Sequence, residues 1–498
     1  MVSTVFARRA ARGTVWTAAA TWLNRLFVLV VVLVLARNLD ARQFGVLGVA
    51  TLAANVALQL NEGGMIDALI WWPGRQDRDA AETTLLSLMV LGAVLGGLLV
   101  ALAPAIATVF SAPDALPLLR VYGIVIFVDA TGSAYIGMLT RELDFRRRFF
   151  PDVLPSVCGS LLTVGLALGG VGIWSLVIGD LVTGILRMLV GFVVVGRHTV
   201  PRWHAALAAK LMRFGRAALA STFLEFALQN IDYALVALLL GPVALGLYTI
   251  AFRVAILPFL VVTWVIAGVA FPLYARVIND RPAVQRVLEL TMRVCGSLVV
   301  LMGVGVATLA PSLELLGQRW APSVPVARWL GIYICIRSAA FTASSLLRVV
   351  NPRVNALLKG AWVVLLAVLI ATVGRNGITT VGAIQVVVAI PLLAAYLLLV
   401  RRLAGVSIWP VILDMARIAF AAAVAAAATL ALRHAVAPLA DPTSLGALVV
   451  LGIVFCATYA LALALILPGV ASDVRGLREL AGKKNETAAR ALAAESVP

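Results

Sequence analysis

Six arginines lie inside apolar runs, where a charge is costly: Arg25, Arg187, Arg253, Arg293, Arg337 and Arg417. An arginine in the middle of a membrane-length run faces protein or a water-filled cavity, which makes it a candidate functional residue. Its planar guanidinium matches phosphate oxygens in pairs better than a lone ammonium does. The chemistry open to Arg25 and Arg253 is therefore capture of an anion such as pyrophosphate. Arg187 and Arg337 are weaker candidates, because each can snorkel or pair with Asp180 or Asp129. Arg293 and Arg417 sit close enough to the end of their runs to snorkel.

The other polar residues of these runs fall in stripes. Thr14, Ala18, Thr21 and Arg25 are spaced i, i+4, i+7, i+11, which is one helical face, with Thr17 and Asn24 adjoining. Thr51, Asn55, Gln59 and Glu62 repeat the pattern, as do Ser221, Glu225, Gln229 and Asp232. Tyr248, Thr249 and Arg253 share a later run, and Asp129 and Ser133 share one side of another. In hydrocarbon an unpaired polar group costs several kcal/mol, so such faces must turn inward. Two readings follow. In one, Arg25, Arg253, Asn24, Thr21, Asn55, Gln59, Glu62, Glu225, Gln229, Asp232, Arg187 and Arg337 line a hydrated cavity that receives an anionic substrate. In the other, Arg25 and Arg253 pair with Glu62, Glu225 or Asp232 and lock helices together.

No catalytic or nucleotide-binding motif accompanies these residues. There is no Gly-x-x-x-x-Gly-Lys-Ser/Thr loop and no His-Glu-x-x-His, and the three histidines (His198, His204, His434) do not cluster. The four cysteines all fall in apolar runs without paired spacing and read as small packing residues. The expectation is no catalytic residue, no metal and no cofactor. Uphill transport would then draw on an ion gradient, the membrane potential or substrate supply.

The chain that positions these residues is 62% hydrophobic and 13% charged, against about 25% charged in soluble domains. It reads as an all-α polytopic membrane protein. The net charge of +17 does not indicate a nucleic-acid partner, because the basic residues lie in short breaks between apolar runs. Hydropathy gives fourteen spans: 14–36, 43–70, 83–110, 116–140, 153–170, 172–196, 211–240, 243–274, 287–311, 324–348, 354–373, 378–400, 411–433 and 444–468. With the N-terminus inside, twenty-seven of the 40 basic residues fall on inside segments and seven on outside links. That is the positive-inside pattern, and it puts both termini in the cytoplasm. The run Arg146-Arg147-Arg148 reads as part of it, with anionic lipid headgroups as a second role.

Spans 1–6 and 7–12 read as two copies. Phe44-Gly45 matches Leu245-Gly246, Arg120-Val-Tyr-Gly matches Arg328-Trp-Leu-Gly, and Arg141 matches Arg348, at offsets of 201, 208 and 207. An even number of spans per copy makes the repeats parallel, a transporter architecture with the site between halves. The expected division is a first six-helix lobe at 1–205, a second at 206–404, two additional helices at 405–468 and a cytoplasmic tail at 469–498.

Four stretches carry a resemblance: Leu35-Ala-Arg-Asn-Leu-Asp-Ala-Arg-Gln-Phe-Gly45, Leu240-Gly-Pro-Val-Ala-Leu-Gly-Leu-Tyr-Thr-Ile-Ala-Phe-Arg253, Leu316-Gly-Gln-Arg-Trp320 and Gly172-Ile-Trp-Ser-Leu176. In their order and topology they resemble the polysaccharide transporter family, the Wzx-type oligosaccharide flippases of the multidrug/oligosaccharidyl-lipid/polysaccharide (MOP) exporter superfamily. The resemblance implies two six-helix lobes in a V, with spans 1, 2, 7 and 8 lining a central cavity. It also implies movement of polyprenyl-(pyro)phosphate-linked oligosaccharide from the inner to the outer leaflet of a bacterial cytoplasmic membrane by alternating access. By location, Arg25 and Arg253 fit that family's cationic cavity. The implied partners are the lipid-linked oligosaccharide, membrane lipids and a polysaccharide polymerase with other assembly proteins. The rivals are a cation or drug antiporter, favoured by Glu62, Glu225 and Asp232, and a lipid II flippase of the same fold. A membrane glycan polymerase or ligase would normally carry a sizeable outside loop, and every outside link here is short.

Overall fold

The computed structural model describes residues 23–62, 64–72, 78–142, 144–195, 199–436, 444–467 and 469. Among them every regular element is helical. In chain order the helices are α1 (23–38), α2 (Ala41–Glu62), α3 (Met65–Trp71), α4 (Arg78–Val109), α5 (Leu116–Arg141), α6 (Phe145–Leu168), α7 (Trp174–Val195) and α8 (Ala205–Ala255). They continue with α9 (Trp264–Val277), α10 (Arg281–Leu309), α11 (Val324–Val350), α12 (Pro352–Val373), α13 (Ile378–Ala404), α14 (Trp409–Val436) and α15 (Leu445–Ile466). Thirteen helices among the described residues are long and apolar enough to cross a membrane. The fourteenth expected span, 14–36, begins outside the described residues and enters them as α1.

Local sequence sets the boundaries. Asp144, Asp280, Asn351 and Ser444 each cap a helix, their side-chain oxygens accepting from the backbone N–H three residues on. Gly405 closes α13 with a φ of 67°, a left-handed conformation that costs glycine nothing. The expected break between spans 7 and 8 is a single residue: Gly241, at φ 80° and ψ −179°, interrupts α8 just before Pro242. The expected eighth span, 243–274, is itself broken. After Pro258 the chain makes a π-helical turn, Phe259–Thr263, before α9 begins. A proline has no N–H to give the i→i−4 ladder, so the local backbone rearranges there.

The chain resolves into two compact units that meet at Gly246/Leu247. In the first, α4 and α5 cross at glycine: a Cβ on Gly96 would lie 2.3 Å from the Gly123 carbonyl oxygen. Helices α6 and α7 cross at two Gly/Thr steps, where Thr183 Oγ1 fills the space beside Gly159 and Thr163 Oγ1 that beside Gly179. Each of these hydroxyls also donates to the carbonyl four residues earlier in its own helix, so neither proton needs a partner across the interface.

The second unit repeats the crossing. On α10 and α11, a Cβ on Gly331 would lie 2.5 Å from the Gly303 carbonyl oxygen. Gly96 and Gly123 precede Gly303 and Gly331 by 207 and 208 residues, the offsets at which the two sequence copies align. Helices α14 and α15, outside the repeat, dock on α10. Met415 sits over Gly296, Phe455 lies against Gly305, and Tyr459 Oη donates to the Ser297 carbonyl at 2.7 Å.

Outside these seams the helices expose large apolar side chains, Leu465, Leu357 and Val193 among the most open. In water such surfaces would be an aggregation liability; on a chain of this composition they are its hydrocarbon-facing surface.

The glycine crossings yield a testable expectation. Gly96→Leu must push apart two backbones, which costs about 1–3 kcal/mol or more. It should lower the melting temperature and the monodisperse yield in fluorescence-detected size exclusion. Gly97→Leu, whose new Cβ meets nothing within 4 Å, should behave as wild type.

Candidate functional site

The residues of the α2 stripe differ in exposure. Asn55 is exposed, and Thr51 and Gln59 are half-buried. Thr51 Oγ1 satisfies itself on the Leu47 carbonyl at 2.8 Å. On α8, Glu225 and Gln229 are half-buried and Asp232 is buried, its Oδ1 accepting from the Tyr233 backbone N–H at 3.0 Å. Thr21, together with the side chains of Glu62 and Ser221, lies outside the described residues.

Helix α8 meets the chain of α2 and the turn that follows it at two places within the first unit. At one, the backbones of Gly64 and Gly215 meet, a Cβ on either glycine falling within 2.6 Å of the other's carbonyl oxygen. At the other, Gly45 packs on the Pro242 carbonyl and Gly246 on the Ala41 carbonyl. Between these contacts the chain runs further along α8 than along α2. Asn55 and Gln59 on α2, with Glu225 and Gln229 on α8, lie in the stretch between the two contacts. Asn24 and Arg25, on α1, are both half-buried. The Oδ1 of Asn24 has no hydrogen-bond partner among the described residues.

The other predicted residues separate. Arg187 of α7 forms an ion pair with Asp129 of α5 inside the first unit. Beside it, Tyr122 Oη donates to Asp180 Oδ2 at 2.8 Å. In the second unit Arg253 is half-buried, while its neighbours Tyr248 and Thr249 are buried. Gln385 Nε2 donates to Tyr248 Oη at 3.3 Å. Arg337 is 3% exposed and stacks on two rings, 4.7 Å from the Phe259 centroid and 5.8 Å from that of Tyr333. A guanidinium held by ring faces is stabilised through their quadrupoles. Two apolar cavities, of about 290 and 360 Å³, touch none of the predicted residues; Met65 and Trp203 line the first, Met302 and Phe455 the second.

One residue escaped the sequence reading. Asn61 on α2 is fully buried, and neither of its amide atoms has a hydrogen-bond partner among the described residues. Its position, two residues past Gln59, puts it off the stripe. Helical spacing alone could not single it out.

Solved structures define the class of this fold. The lipid II flippase MurJ, in an inward closed conformation, superposes with a TM-score of 0.74, covering 91% of this chain and 99% of its own at 12% identity. An inward-facing MATE family multidrug resistance transporter of the MOP superfamily gives 0.62, covering 76% and 96% at 15% identity.

Sequence then narrows the class. Residues 34–325 match the family described as polysaccharide biosynthesis protein, more than half of the chain, and the protein belongs to that family. It is 28% identical over 330 residues to the succinoglycan biosynthesis transport protein ExoT of Rhizobium meliloti, a match that spans 66% of each chain. It is also 28% identical over 346 residues to the lipopolysaccharide biosynthesis protein WzxC of Escherichia coli, covering 67% of this chain and 69% of that one. The teichuronic acid biosynthesis protein TuaB of Bacillus subtilis is 25% identical over 299 residues, 58% of this chain and 59% of its own.

The Arg187–Asp129 pair makes its own prediction. Asp129→Asn removes the carboxylate while the largely buried guanidinium keeps its charge, at a cost on the order of 3–5 kcal/mol. The double variant Asp129→Asn/Arg187→Gln should recover much of the loss. Thermal unfolding of both proteins in detergent measures the difference.

Proposed function

We propose that this protein is a flippase for polyprenyl-(pyro)phosphate-linked oligosaccharide in the cytoplasmic membrane of a bacterium. It serves surface polysaccharide biosynthesis by alternating access, with both termini cytoplasmic. The observation that carries the reading is the set of polar residues on α2 and α8, Asn55 and Gln59 with Glu225 and Gln229, that lie between those two contacts. Asn55 is exposed on an otherwise apolar chain, and hydrocarbon would penalise that exposure. Water and a sugar headgroup would not. Membership of the polysaccharide biosynthesis family supports that substrate class.

In this mechanism the lipid tail stays in the bilayer while the headgroup enters the polar space. Arg25 and Arg253 bind its phosphate oxygens, and amides such as Asn55 and Gln59 exchange hydrogen bonds with its hydroxyls. Translocation needs no covalent step, so the side chains act by binding alone. A polymerase that consumes the flipped oligosaccharide is the implied partner. A cation or drug antiporter is the second reading, and it draws on one observation, the buried carboxylate of Asp232.

The test is complementation. In a deletion strain that has lost its surface polysaccharide, wild type should restore it. Arg25→Ala and Arg253→Ala, at matched membrane levels, should cut export about tenfold or more, the worth of a charge-assisted phosphate contact. Lipid-linked oligosaccharide should accumulate on the inner leaflet, and the Lys variants should recover part of the activity. Normal export by both Ala variants would return these arginines to structural pairing. Normal glycan in the deletion strain, with no second flippase present, would remove the function.

A further inference from the structure

Helix α14 carries a charge on its outer face. Trp409, Leu413, Arg417 and Phe420 are all exposed, and their spacing of i, i+4, i+8, i+11 puts them in one stripe. On a helix surrounded by hydrocarbon that stripe meets lipid. Arg417 lies on it with its side chain 44% exposed, and its one contact among the described residues is to Asp414 Oδ1 at 3.4 Å. Asp414 is already engaged. Its Oδ2 accepts from Arg293 Nε at 2.9 Å and Nη2 at 2.8 Å. Most of the five donors of the Arg417 guanidinium are thus left to the surroundings.

The neighbourhood suits an anion. Arg417 is about two turns from the start of α14, within snorkelling reach of the headgroup layer. Exposed Arg281, Arg286, Arg401 and Arg402 crowd the same end of the second unit. Gln285 of α10 holds that end together, donating to the Ser407 carbonyl at 2.9 Å and accepting from the Ser407 N–H at 2.7 Å.

We propose that Arg417 is the headgroup contact of a bound anionic glycerophospholipid. The phosphodiester takes the guanidinium's free edge, and the acyl chains run along Leu413 and Phe420. The lipid belongs to the leaflet beside the α13–α14 link. Basic residues at the ends of membrane helices select anionic lipids in this way. Helix α14 lies outside the six-helix repeats and carries none of their polar stripes, so the proposal does not rest on the flippase reading.

The experiment titrates purified, delipidated protein with phosphatidylglycerol or with phosphatidylcholine of the same chains. Native mass spectrometry and melting temperature report binding. Wild type should bind phosphatidylglycerol in preference, with a rise in melting temperature that weakens as salt is added. Arg417→Gln should lose about fivefold in affinity, the share of one arginine near an anionic headgroup. Arg417→Lys should keep most of the preference, and Arg375→Gln, at the far end of α13, should keep it all. Equal binding of the two lipids by wild type, or an unchanged preference in Arg417→Gln, would overturn the proposal. So would a site that takes undecaprenyl phosphate and leaves phosphatidylglycerol unbound, since the arginine would then serve a polyprenyl carrier.

Discussion

Hydrocarbon offers a helix no hydrogen bonds and little hydrophobic reason to pack. Helices in a membrane hold together where their backbones approach closely and where polar atoms find partners inside the protein. This chain meets the first condition with glycine. Gly96 on Gly123 and Gly303 on Gly331 bring helix pairs into backbone contact in both units. It meets the second with short local loops of donation, as in Thr163 and Thr183, which give their protons to their own helices. Polar atoms that escape both arrangements stand out, and they are where function is to be sought.

Much of this was legible in the sequence. Spans of about 20 apolar residues follow from hydropathy, a local property. The repeat was legible because two copies of one pattern need no knowledge of contacts. The stripe of α2 was legible because helical period is local too. What stayed hidden depends on distant partners. Arg187 had two carboxylates within plausible reach, Asp180 and Asp129, and only the packing of α5 on α7 decides for Asp129. The π-helical turn after Pro258 depends on how the chain closes around its contacts. Asn61 is hidden for the same reason: its burial comes from whichever helix lies opposite.

The candidate site is divided by this constraint into groups of different character. Arg337 has given its charge to aromatic faces and Arg187 to a carboxylate, which suits rigid helix seams. Asn24, Arg25, Asn55, Gln59 and Arg253 keep accessible surface, as groups must if they are to exchange water for a headgroup. An intramembrane arginine is thus two kinds of residue, and what its guanidinium meets separates them.

The seat of the α14–α15 hairpin differs from its counterpart. On α10 the hairpin covers Ser297, Leu301 and Gly305, and an offset of 207 residues places Val90, Val94 and Leu98 of α4 at the corresponding positions. Those three are bulky and about half exposed. Where α4 presents three branched apolar side chains, α10 presents a glycine to Phe455 and a serine whose carbonyl receives Tyr459. A chain shortened at Ala404 would bare a face shaped for protein, with a carbonyl's second lone pair left unmet in hydrocarbon.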